Sequence, residues 1–412
     1  MVLQFFPNNN KAENISAIAG QDFLATAGMP VFAPEAIDFL NELSRMIFSG
    51  KESSLYPELT ALAFFLRKSN INELKTKFEK SADASAFHTP RGVAFHIAPS
   101  NVDTIFVYSW ALSLLAGNIN IVRLSSKINE QVRILLDTLV KMDAQNNYPE
   151  IAQRNILLNY EHDPKINEYI SSVSDIRIIW GGNETISLIR SFRAKPTTKE
   201  IVFADKVSYS VIQSAAYLEY DEKAHGNTAL AFYNDGYYFG QMGCSSPRIV
   251  YFAGSRDDCE KASALFWAKL AEAMKKKSHA DDISVALNKH IEIYSKAAGP
   301  ANILGIGSIS DTEPTVVRID AQSAVYCRET CGGGFFYECF VDSLDSLATL
   351  VMDNDQTMTY TGFGKKELTR FAAKVNGRGI DRIVPIGSAL SFSSLWDGYN
   401  LMYELTKSVS IL

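Results

Sequence analysis

The residue best suited to covalent chemistry is Cys244, in the segment Gly240 to Arg248 (GQMGCSSPR). Its neighbours are glycine and serine, whose small side chains leave the sulfur open to a bulky electrophile. The segment lies where a helical pattern meets an apolar run, and backbone N–H groups near such a junction can stabilise a thiolate and an oxyanion. The local sequence by itself nevertheless favours a structural cysteine over a nucleophile.

A second candidate for ligand binding is the turn Trp180-Gly181-Gly182-Asn183, which joins an apolar run to a helical pattern. Unpaired N–H groups at the start of a helix attract phosphate, so this turn could hold the phosphates of a dinucleotide. Two glycines before a capping Asn are also common in ordinary turns. Neither GxGxxG nor the phosphate-loop pattern is present, and Gly305 and Gly307, half of the former, are expected to form a turn.

The other cysteines and the histidines do not form a metal-binding pattern. Cys327, Cys331 and Cys339 lack the spacing of a zinc pair and have no His close by, so buried structural thiols are expected. His96 lies within an apolar run, which predicts an interior imidazole rather than a catalytic base. We therefore expect no metal.

The elements that must position these residues alternate between strand and helix. The first eighty residues have helical spacing, and Ser100 or Asn101 can cap a later helix. Strands that alternate with helices pair in parallel and form a doubly wound sheet, whose ligands bind beyond the carboxyl ends of the strands. Apolar runs predict strands over 92–98, 119–124, 155–158, 176–180, 201–204, 208–212, 248–252 and 315–319.

Composition limits the class of protein. The chain has 412 residues, more than the roughly 250–300 that one hydrophobic core supports, so two domains are expected. A net charge of −6 without a basic stripe argues against nucleic-acid binding. The N-terminus lacks a signal-peptide pattern and no apolar run is long enough for a membrane span, so we expect a cytoplasmic protein.

Three stretches together resemble a known family. The segment Pro90 to Ser126 has the strand, Asn-bearing turn, helix ending in Gly-Asn and second strand with which aldehyde dehydrogenases open their cofactor domain. Combined with Gly243 to Arg248 and with Arg382 to Leu401 (RIVPIGSALSFSSLWDGYNL), it is similar in particular to the acyl-CoA reductases of bacterial luminescence operons. The likeness extends from residue 88 to the C-terminus.

The resemblance implies an aldehyde dehydrogenase-like α/β fold in three parts. A Rossmann-type doubly wound domain for a nicotinamide cofactor would comprise residues 1–75 and 93–206, and an α/β catalytic domain residues 207–385. A small oligomerisation flap, built from a hairpin before Pro90 and from the C-terminal tail, would comprise residues 76–92 and 400–412. Such a flap implies a homodimer or a homotetramer.

The functional residues of the family can be carried over to matching positions. Cys244 would be the nucleophile, and the Asn101 amide would join the Cys244 N–H in the oxyanion hole, a role compatible with capping a helix. Gly182 and Asn183 match the turn that meets the pyrophosphate. The place that holds the adenosine ribose corresponds to Arg123, Ser125 and Ser126. That stretch, Arg-Leu-Ser-Ser-Lys, has two cations and no carboxylate, which favours NADPH over NADH.

Two departures from the superfamily bear on the reaction. Hydrolytic members have a Glu-Leu-Gly-Gly-Lys motif whose Glu activates water, whereas the stretch Val202 to Lys206 (VFADK) begins with Val in its place. Without that base, the thioester should pass its acyl group to thiols or be reduced rather than hydrolysed. When Gly240-Gln241 is aligned with the superfamily's Gly-Gln, Cys244 falls one residue later than the usual cysteine, as in the luminescence branch.

The resemblance therefore implies NADPH-dependent reduction of a fatty acyl-CoA, or of an acyl-protein thioester, to the aldehyde through an acyl-Cys244 intermediate. A partner acyl-protein synthetase could deliver the acyl group. Two alternatives stay open: an acyltransferase or thioesterase that uses Cys244 without hydride transfer, and a non-catalytic acyl-binding protein. The family's Glu-x-Phe-Gly-Pro signature is not legible, so no motif supports Glu329 or Glu338 as contacts of the nicotinamide ribose.

Overall fold

The computed structural model describes residues 1–7, 11–12, 14–81, 85–99, 104–161, 163–279, 283–310, 312–329 and 331–411. The chain divides into two compact units, Met1–Asp205 together with Phe392–Leu412, and Lys206–Ser391. The first unit contains both segments predicted for the flap, and the boundary predicted after residue 206 lies next to the division. Within the described residues, no helix is long and apolar enough to cross a membrane.

The first unit contains a seven-stranded sheet flanked by helices. The strands in residues 1–205 of this unit are β1 (Val2–Phe6), β2 (Lys11–Ala12), β3 (Ala86–Pro90), β4 (Val93–Ile97), β5 (Ile119–Arg123), β6 (Asn155–Tyr160), β7 (Ile176–Trp180) and β8 (Lys199–Phe203). Its helices are α1 (Gln21–Leu24), α2 (Pro34–Ser49), α3 (Pro57–Phe65), α4 (Lys68–Ser81), α5 (Ile105–Leu115), α6 (Glu130–Ala144), α7 (Pro149–Ala152), α8 (Pro164–Val173) and α9 (Asn183–Ser191). All these strands except β3 form one sheet, in the order β2-β1-β6-β5-β4-β7-β8.

This strand order has a topological switch point between β4 and β7. The chain moves outward from β4 through β5 to β6, and then returns to the other side of β4 to form β7 and β8. The five strands are parallel to one another. Loops that leave two strands in opposite directions at a switch point open a crevice for a ligand, so the predicted doubly wound cofactor-type sheet is confirmed.

Burial explains why the central elements of this sheet were predictable. Every residue of β4 is buried, and so is every residue of α5, which follows it. Strands of a parallel sheet are covered on both faces, and their sequences are therefore continuous apolar runs. Helix α5 begins at Ile105; Ser100, proposed as its cap, lies outside the described residues.

The N-terminal segment contradicts the prediction of helices over the first eighty residues. Val2–Phe6 form β1, which pairs antiparallel with β6, and its alternate side chains are buried. Alternation with a period of two is typical of a strand with one buried face. Over five residues the pattern is too short to stand out beside the helical spacing that follows it.

The second unit contains another seven-stranded sheet. Its strands are β9 (Val207–Gln213), β10 (Pro247–Ala253), β11 (Ile303–Ile306), β12 (Thr315–Ile319), β13 (Phe335–Val341), β14 (Asp355–Thr361) and β15 (Arg382–Pro385). Its helices are α10 (Ser214–Leu218), α11 (Glu222–Tyr237), α12 (Arg256–Lys276), α13 (Ile283–Ala297), α14 (Leu344–Leu347) and α15 (Lys365–Val375). The order is β11-β12-β13-β10-β9-β14-β15, parallel except for the edge strand β11. The predicted turn at Gly305 is wrong, because Gly305 lies within β11.

The C-terminal residues return to the first unit as β16 (Leu395–Trp396), β17 (Tyr399–Asn400), α16 (Leu401–Leu405) and β18 (Thr406–Ser410). Strand β18 pairs antiparallel with β3. Among the described residues, the segment before Pro90 thus forms one strand rather than the predicted hairpin. Phe87, Val409 and Ile411 of this two-stranded sheet and its C-terminal end are exposed.

Candidate active site

Cys244 lies in the short loop that joins a 3-10 turn, Tyr238–Gln241, to the amino end of β10. Its side chain is half-buried, whereas the two serines that follow it are buried. Gly243 has little room for a larger side chain, because a Cβ there would lie 3.1 Å from Ser246 Oγ and 3.4 Å from Leu390 Cδ2. A glycine at position 243 therefore suits the packing of the loop as well as access to the sulfur.

Gln241 fixes this loop to the start of β13. Its Nε2 donates to the carbonyl oxygens of Pro247 at 3.0 Å and Phe335 at 2.8 Å. Its Oε1 accepts from the N–H groups of Gly334 and Phe335, both at 3.0 Å. The side chain is fully buried, and these four bonds use both of its N–H groups and both acceptor positions. Gln241 is thus a structural brace for the Cys244 loop.

Three consecutive glycines let the backbone of the segment before β13 approach the loop. Gly332, Gly333 and Gly334 have φ values of 76°, 66° and 76°, in the left-handed region that disfavours side chains. A Cβ on Gly332 would lie 2.6 Å from the carbonyl oxygen of Gly240, and one on Gly334 would lie 2.2 Å from the Tyr237 ring. Only glycine at these positions lets the backbone come this close to the Cys244 loop.

Two neighbouring strands contact Cys244 itself. Gln356, in β14, donates from Nε2 to Cys244 Sγ at 3.3 Å. Ser208, in β9, donates to the Cys244 carbonyl oxygen at 2.7 Å and accepts from the Thr357 N–H at 3.1 Å. Both Gln356 and Ser208 are fully buried. Sequence reasoning missed both residues, because they lie 112 and 36 positions from Cys244 in regions without a motif.

Arg123, predicted to lie at the adenosine ribose, ends β5 in the first unit. Its guanidinium lies 4.9 Å from the centre of the Tyr160 ring, and its buried Nε has no hydrogen-bond partner among the described residues. Ser125 is half-buried and accepts from the Lys127 N–H at 3.3 Å, while Ser126 is exposed. This end of β5 therefore presents a cation and two hydroxyl groups.

Gly182 and Asn183 lie at the carboxyl end of β7, where Gly182 caps α9. The Asn183 N–H donates to Asp205 Oδ2 at 3.3 Å, and a Cβ on Gly182 would lie 3.2 Å from the same oxygen. The Asp205 carboxylate thus accepts a hydrogen bond from the N–H group that the sequence assigns to a pyrophosphate. Asp205 follows β8 and has no motif that would have indicated this contact.

The structure brings five of the predicted residues to one edge of the first sheet. They lie at the carboxyl ends of β5 and β7, the two strands that flank β4. These residues are Arg123, Ser125, Ser126, Gly182 and Asn183. Cys244 belongs to the second unit, and Asn101 lies outside the described residues.

The residue in place of the water-activating Glu is a partly buried apolar side chain. Val202 lies in β8 and packs against the buried cluster of the first unit. The Lys206 ammonium group, at the end of the same stretch, lies 3.1 Å from Asp381 Oδ2. Neither side chain can act as a general base for water.

The interior position predicted for His96 is confirmed. The ring is buried, with Nδ1 3.3 Å from Ser109 Oγ and Nε2 3.1 Å from Asn120 Oδ1. Burial lowers the pKa of His96 to about 4, so the imidazole is neutral near pH 7. Glu338 is also interior to its unit, and its carboxylate accepts from Trp267 Nε1 at 2.6 Å and from Arg318 Nε at 2.5 Å.

The burial predicted for three cysteines other than Cys244 is confirmed for two of them. Cys327 and Cys339 are buried as predicted, while Cys331 is half-buried. None of the five cysteines forms a disulfide. Within the described ranges, no group of His, Cys, Asp and Glu side chains is arranged to hold a metal ion.

Comparison with known proteins identifies one family. The family described as acyl-CoA reductase (LuxC) matches residues 72–408. A long-chain acyl-protein thioester reductase from Aliivibrio fischeri is 24% identical over 166 residues, which are 40% of this chain and 33% of that protein. The match thus spans a third of the length of this curated relative.

Solved structures with the same fold are aldehyde dehydrogenases. An NAD-dependent benzaldehyde dehydrogenase from Corynebacterium glutamicum superposes with a TM-score of 0.62 at 14% identity, over 99% of this chain and 94% of that one. A glyceraldehyde-3-phosphate dehydrogenase from Methanocaldococcus jannaschii, in complex with NADP, gives 0.64 at 13% identity over 94% and 90%. The predicted aldehyde dehydrogenase-like fold is confirmed.

Proposed function

Because the chain belongs to the acyl-CoA reductase (LuxC) family, we propose that it reduces a fatty acyl thioester to the aldehyde with NADPH, through an acyl-Cys244 intermediate. The observation that carries the proposal is the environment of Cys244: a half-buried thiol on a braced loop, with a buried amide donor at the sulfur. The relative from Aliivibrio fischeri is named for an acyl-protein thioester. Acyl-CoA and acyl-protein are therefore both candidate substrates, and an acyl-protein synthetase is a candidate partner.

The first step is acyl transfer to the cysteine. The Cys244 thiolate attacks the thioester carbonyl, a C–S bond forms to Sγ, and the bond to the leaving thiolate breaks. We assign stabilisation of the oxyanion to the Cys244 N–H and, from the family resemblance, to the Asn101 amide. No general base is required if the cysteine reacts as a thiolate, because its sulfur has no proton to remove. The leaving thiolate takes a proton from water.

The second step releases the aldehyde. The hydride that reduces the carbonyl carbon of the acyl-cysteine would come from NADPH, which Arg123, Gly182 and Asn183 would hold. The C–S bond then breaks, and the sulfur leaves as the thiolate that begins the next cycle. Val202 supports reduction over hydrolysis, because an apolar side chain packed against the core cannot activate water at the thioester.

The residues at the edge of the first sheet fit a nicotinamide dinucleotide phosphate. Arg123 and Lys127 place two cations, without a carboxylate between them, at the end of β5. The Nε of Arg123, which has no partner among the described residues, is a donor that a 2′-phosphate would satisfy. Gly182 and Asn183 would meet the pyrophosphate at the start of α9, provided that the Asp205 carboxylate moves aside.

We also propose that the protein is a homodimer or a homotetramer assembled through the flap, residues 76–92 and 400–412, whose strands β3 and β18 pair with each other. A two-stranded sheet is marginally stable by itself. Here it exposes Phe87, Val409 and Ile411. A second copy that covers these side chains would remove them from water.

A substrate panel tests the reductase proposal. The full-length protein is mixed with acyl-CoAs of increasing chain length and with NADPH or NADH, and cofactor oxidation and aldehyde are measured. Aldehyde formed with consumption of NADPH supports the reductase. Release of thiol without consumption of cofactor would indicate an acyltransferase or thioesterase, and no reaction with any donor, including acyl-protein, would indicate an acyl-binding protein.

Intact mass identifies the acylated residue. The wild type should gain the mass of one acyl group from acyl-CoA in the absence of NADPH, and Cys244→Ala should not. Cys331→Ala is the matched control, because it removes another half-buried cysteine of the same unit. A stable acyl adduct on Cys244→Ala would show that the nucleophile is misassigned.

A further inference from the structure

We propose that Gln356 is a catalytic residue that stabilises the thiolate of Cys244, an inference that rests on the assignment of Cys244 as the nucleophile. Gln356 is the second residue of β14, and its Nε2 donates to Cys244 Sγ at 3.3 Å. It touches the reacting atom directly. No sequence motif of the resemblance includes it.

The side chain is held in the orientation that presents an N–H group to the sulfur. Thr357 Oγ1 donates to Gln356 Oε1 at 3.3 Å, so the carbonyl end of the amide is engaged on the other side. Both residues are fully buried. Rotation of the amide by half a turn would bring an oxygen lone pair toward the sulfur, and the Thr357 hydroxyl would then accept a bond from the amide instead of donating one. A thiolate repels that lone pair, so the donor orientation is the one that suits a charged sulfur.

Burial makes this contact selective for the charged form of the sulfur. A thiol is a weak hydrogen-bond acceptor, whereas a thiolate is a strong one. A buried amide N–H that lacks a good acceptor is costly, so its position at Sγ favours the protonation state that accepts best. With the amide present, the cysteine should lose its proton at a lower pH than without it.

The same contact acts at both ends of the proposed cycle. At the start, the N–H group stabilises the thiolate that forms the new C–S bond. At the end, the C–S bond of the reduced intermediate breaks, the electron pair returns to Sγ, and the aldehyde departs. The N–H group is again next to the developing negative charge. Gln356 therefore lowers the energy of the sulfur as nucleophile and as leaving group.

A second link between Cys244 and β14 runs through Ser208 of β9 and has a different role. The Ser208 hydroxyl bridges the Thr357 N–H and the Cys244 carbonyl oxygen, so it holds the cysteine backbone against β14 without touching the sulfur. Ser208 is a positioning residue. Loss of it should disturb the loop, whereas loss of the Gln356 amide should change the charge state of the sulfur.

The pH dependence of Cys244 alkylation tests the proposal. The rate of modification by iodoacetamide is measured over a range of pH on the full chain, with the modified residue identified by peptide mass. Gln356→Leu, similar in size but without a donor, should move the midpoint of the profile up by about one pH unit. The rate well below both midpoints should fall roughly tenfold, because hydrogen bonds to charged groups are that strong.

Ser210→Ala is the matched control. Ser210 lies on β9, is fully buried, and has its hydroxyl against Thr359 of β14, away from Cys244. The Ser210→Ala variant should have the same midpoint of the alkylation profile as the wild type. If Gln356→Leu does not fold, Thr357→Val gives a second measurement, since it removes the hydroxyl that orients the amide and should move the midpoint upward by a smaller amount.

Three outcomes decide the proposal. An upward shift in Gln356→Leu or Thr357→Val, with none in Ser210→Ala, supports it. A wild-type midpoint in the folded Gln356 variant, or an equal shift in the control, overturns it. The assay uses neither acyl substrate nor NADPH. A shifted midpoint in Gln356→Leu, together with a wild type that has no reductase activity, would therefore refute the reductase proposal and leave this inference standing.

Discussion

The carboxylate of Asp205 should weaken binding of the dinucleotide, and Asp205→Asn should strengthen it. Asp205 Oδ2 accepts from the Asn183 N–H at 3.3 Å, the group that we assign to the pyrophosphate. An asparagine at this position keeps an amide oxygen that can accept the same bond, so the start of α9 stays capped. The substitution therefore removes the charge and leaves the local structure in place.

The expected size of the effect comes from the repulsion between two anions that compete for one N–H group. Two unit charges about 4 Å apart repel by about 1 kcal/mol in bulk water and by about 4 kcal/mol near a protein surface. Asp205 is exposed and can turn into solvent, so the lower figure applies. Asp205→Asn should then lower the Kd for NADPH by about fivefold.

Isothermal titration of NADPH into the full-length protein, at low and at high ionic strength, measures this gain. The gain should shrink at high salt, because exposed charges are screened over about 3 Å at 1 M. Asp221→Asn is the control, since Asp221 caps α11 in the other unit through the Ala224 N–H and its loss changes the net charge equally. An unchanged or weaker affinity in Asp205→Asn, or the same gain in the control, refutes the reasoning.

Three further predictions concern reactivity and stability. Iodoacetamide near neutral pH should modify Cys244 and leave Cys327 intact in the folded protein, because burial raises the pKa of Cys327 to about 11; peptide mass spectrometry shows which thiol reacts first. The free energy of unfolding should fall by roughly 3 kcal/mol as pH drops from about 6.5 to 4, because burial lowers the pKa of His96 to about 4 and the unfolded chain takes up the proton first. Denaturant titrations across that window should show a smaller decrease for His96→Gln. Gly334→Ala should destabilise the protein by more than about 1 kcal/mol, because its φ is 76° and the new Cβ would lie 2.2 Å from the Tyr237 ring; an unchanged denaturant midpoint would contradict this.

The parts of the fold that could be predicted are those whose signal is local. Strands β4, β5 and β7 are mostly apolar runs, each interrupted by one or two polar residues, and such a run is typical of a buried parallel strand. Strand β1 was missed because five alternating residues carry little information. Strand β11 was missed because Gly305 indicates a turn by composition, although in this edge strand it pairs with β12.

The parts of the site that could not be predicted depend on contacts between distant residues. The position of Cys244 followed from its own neighbours and from the resemblance. That Gln356 faces its sulfur follows only from the order of strands, in which β9 lies between β10 and β14. Asp205 is separated from Asn183 by a helix and a strand, so no spacing rule links its carboxylate to that N–H group.

The brace formed by Gln241 has a consequence for the order in which the protein acquires reactivity. Its partners, Gly334 and Phe335, are synthesised more than ninety residues later, and Gln356 later still. Contacts so distant in the chain form late in folding, after the intervening segments have been ordered. A nascent or partly folded chain therefore contains the Cys244 thiol without its brace or its amide donor. If Cys244 is the nucleophile that we propose, its acylation should begin only once the sheet of the second unit has closed around it.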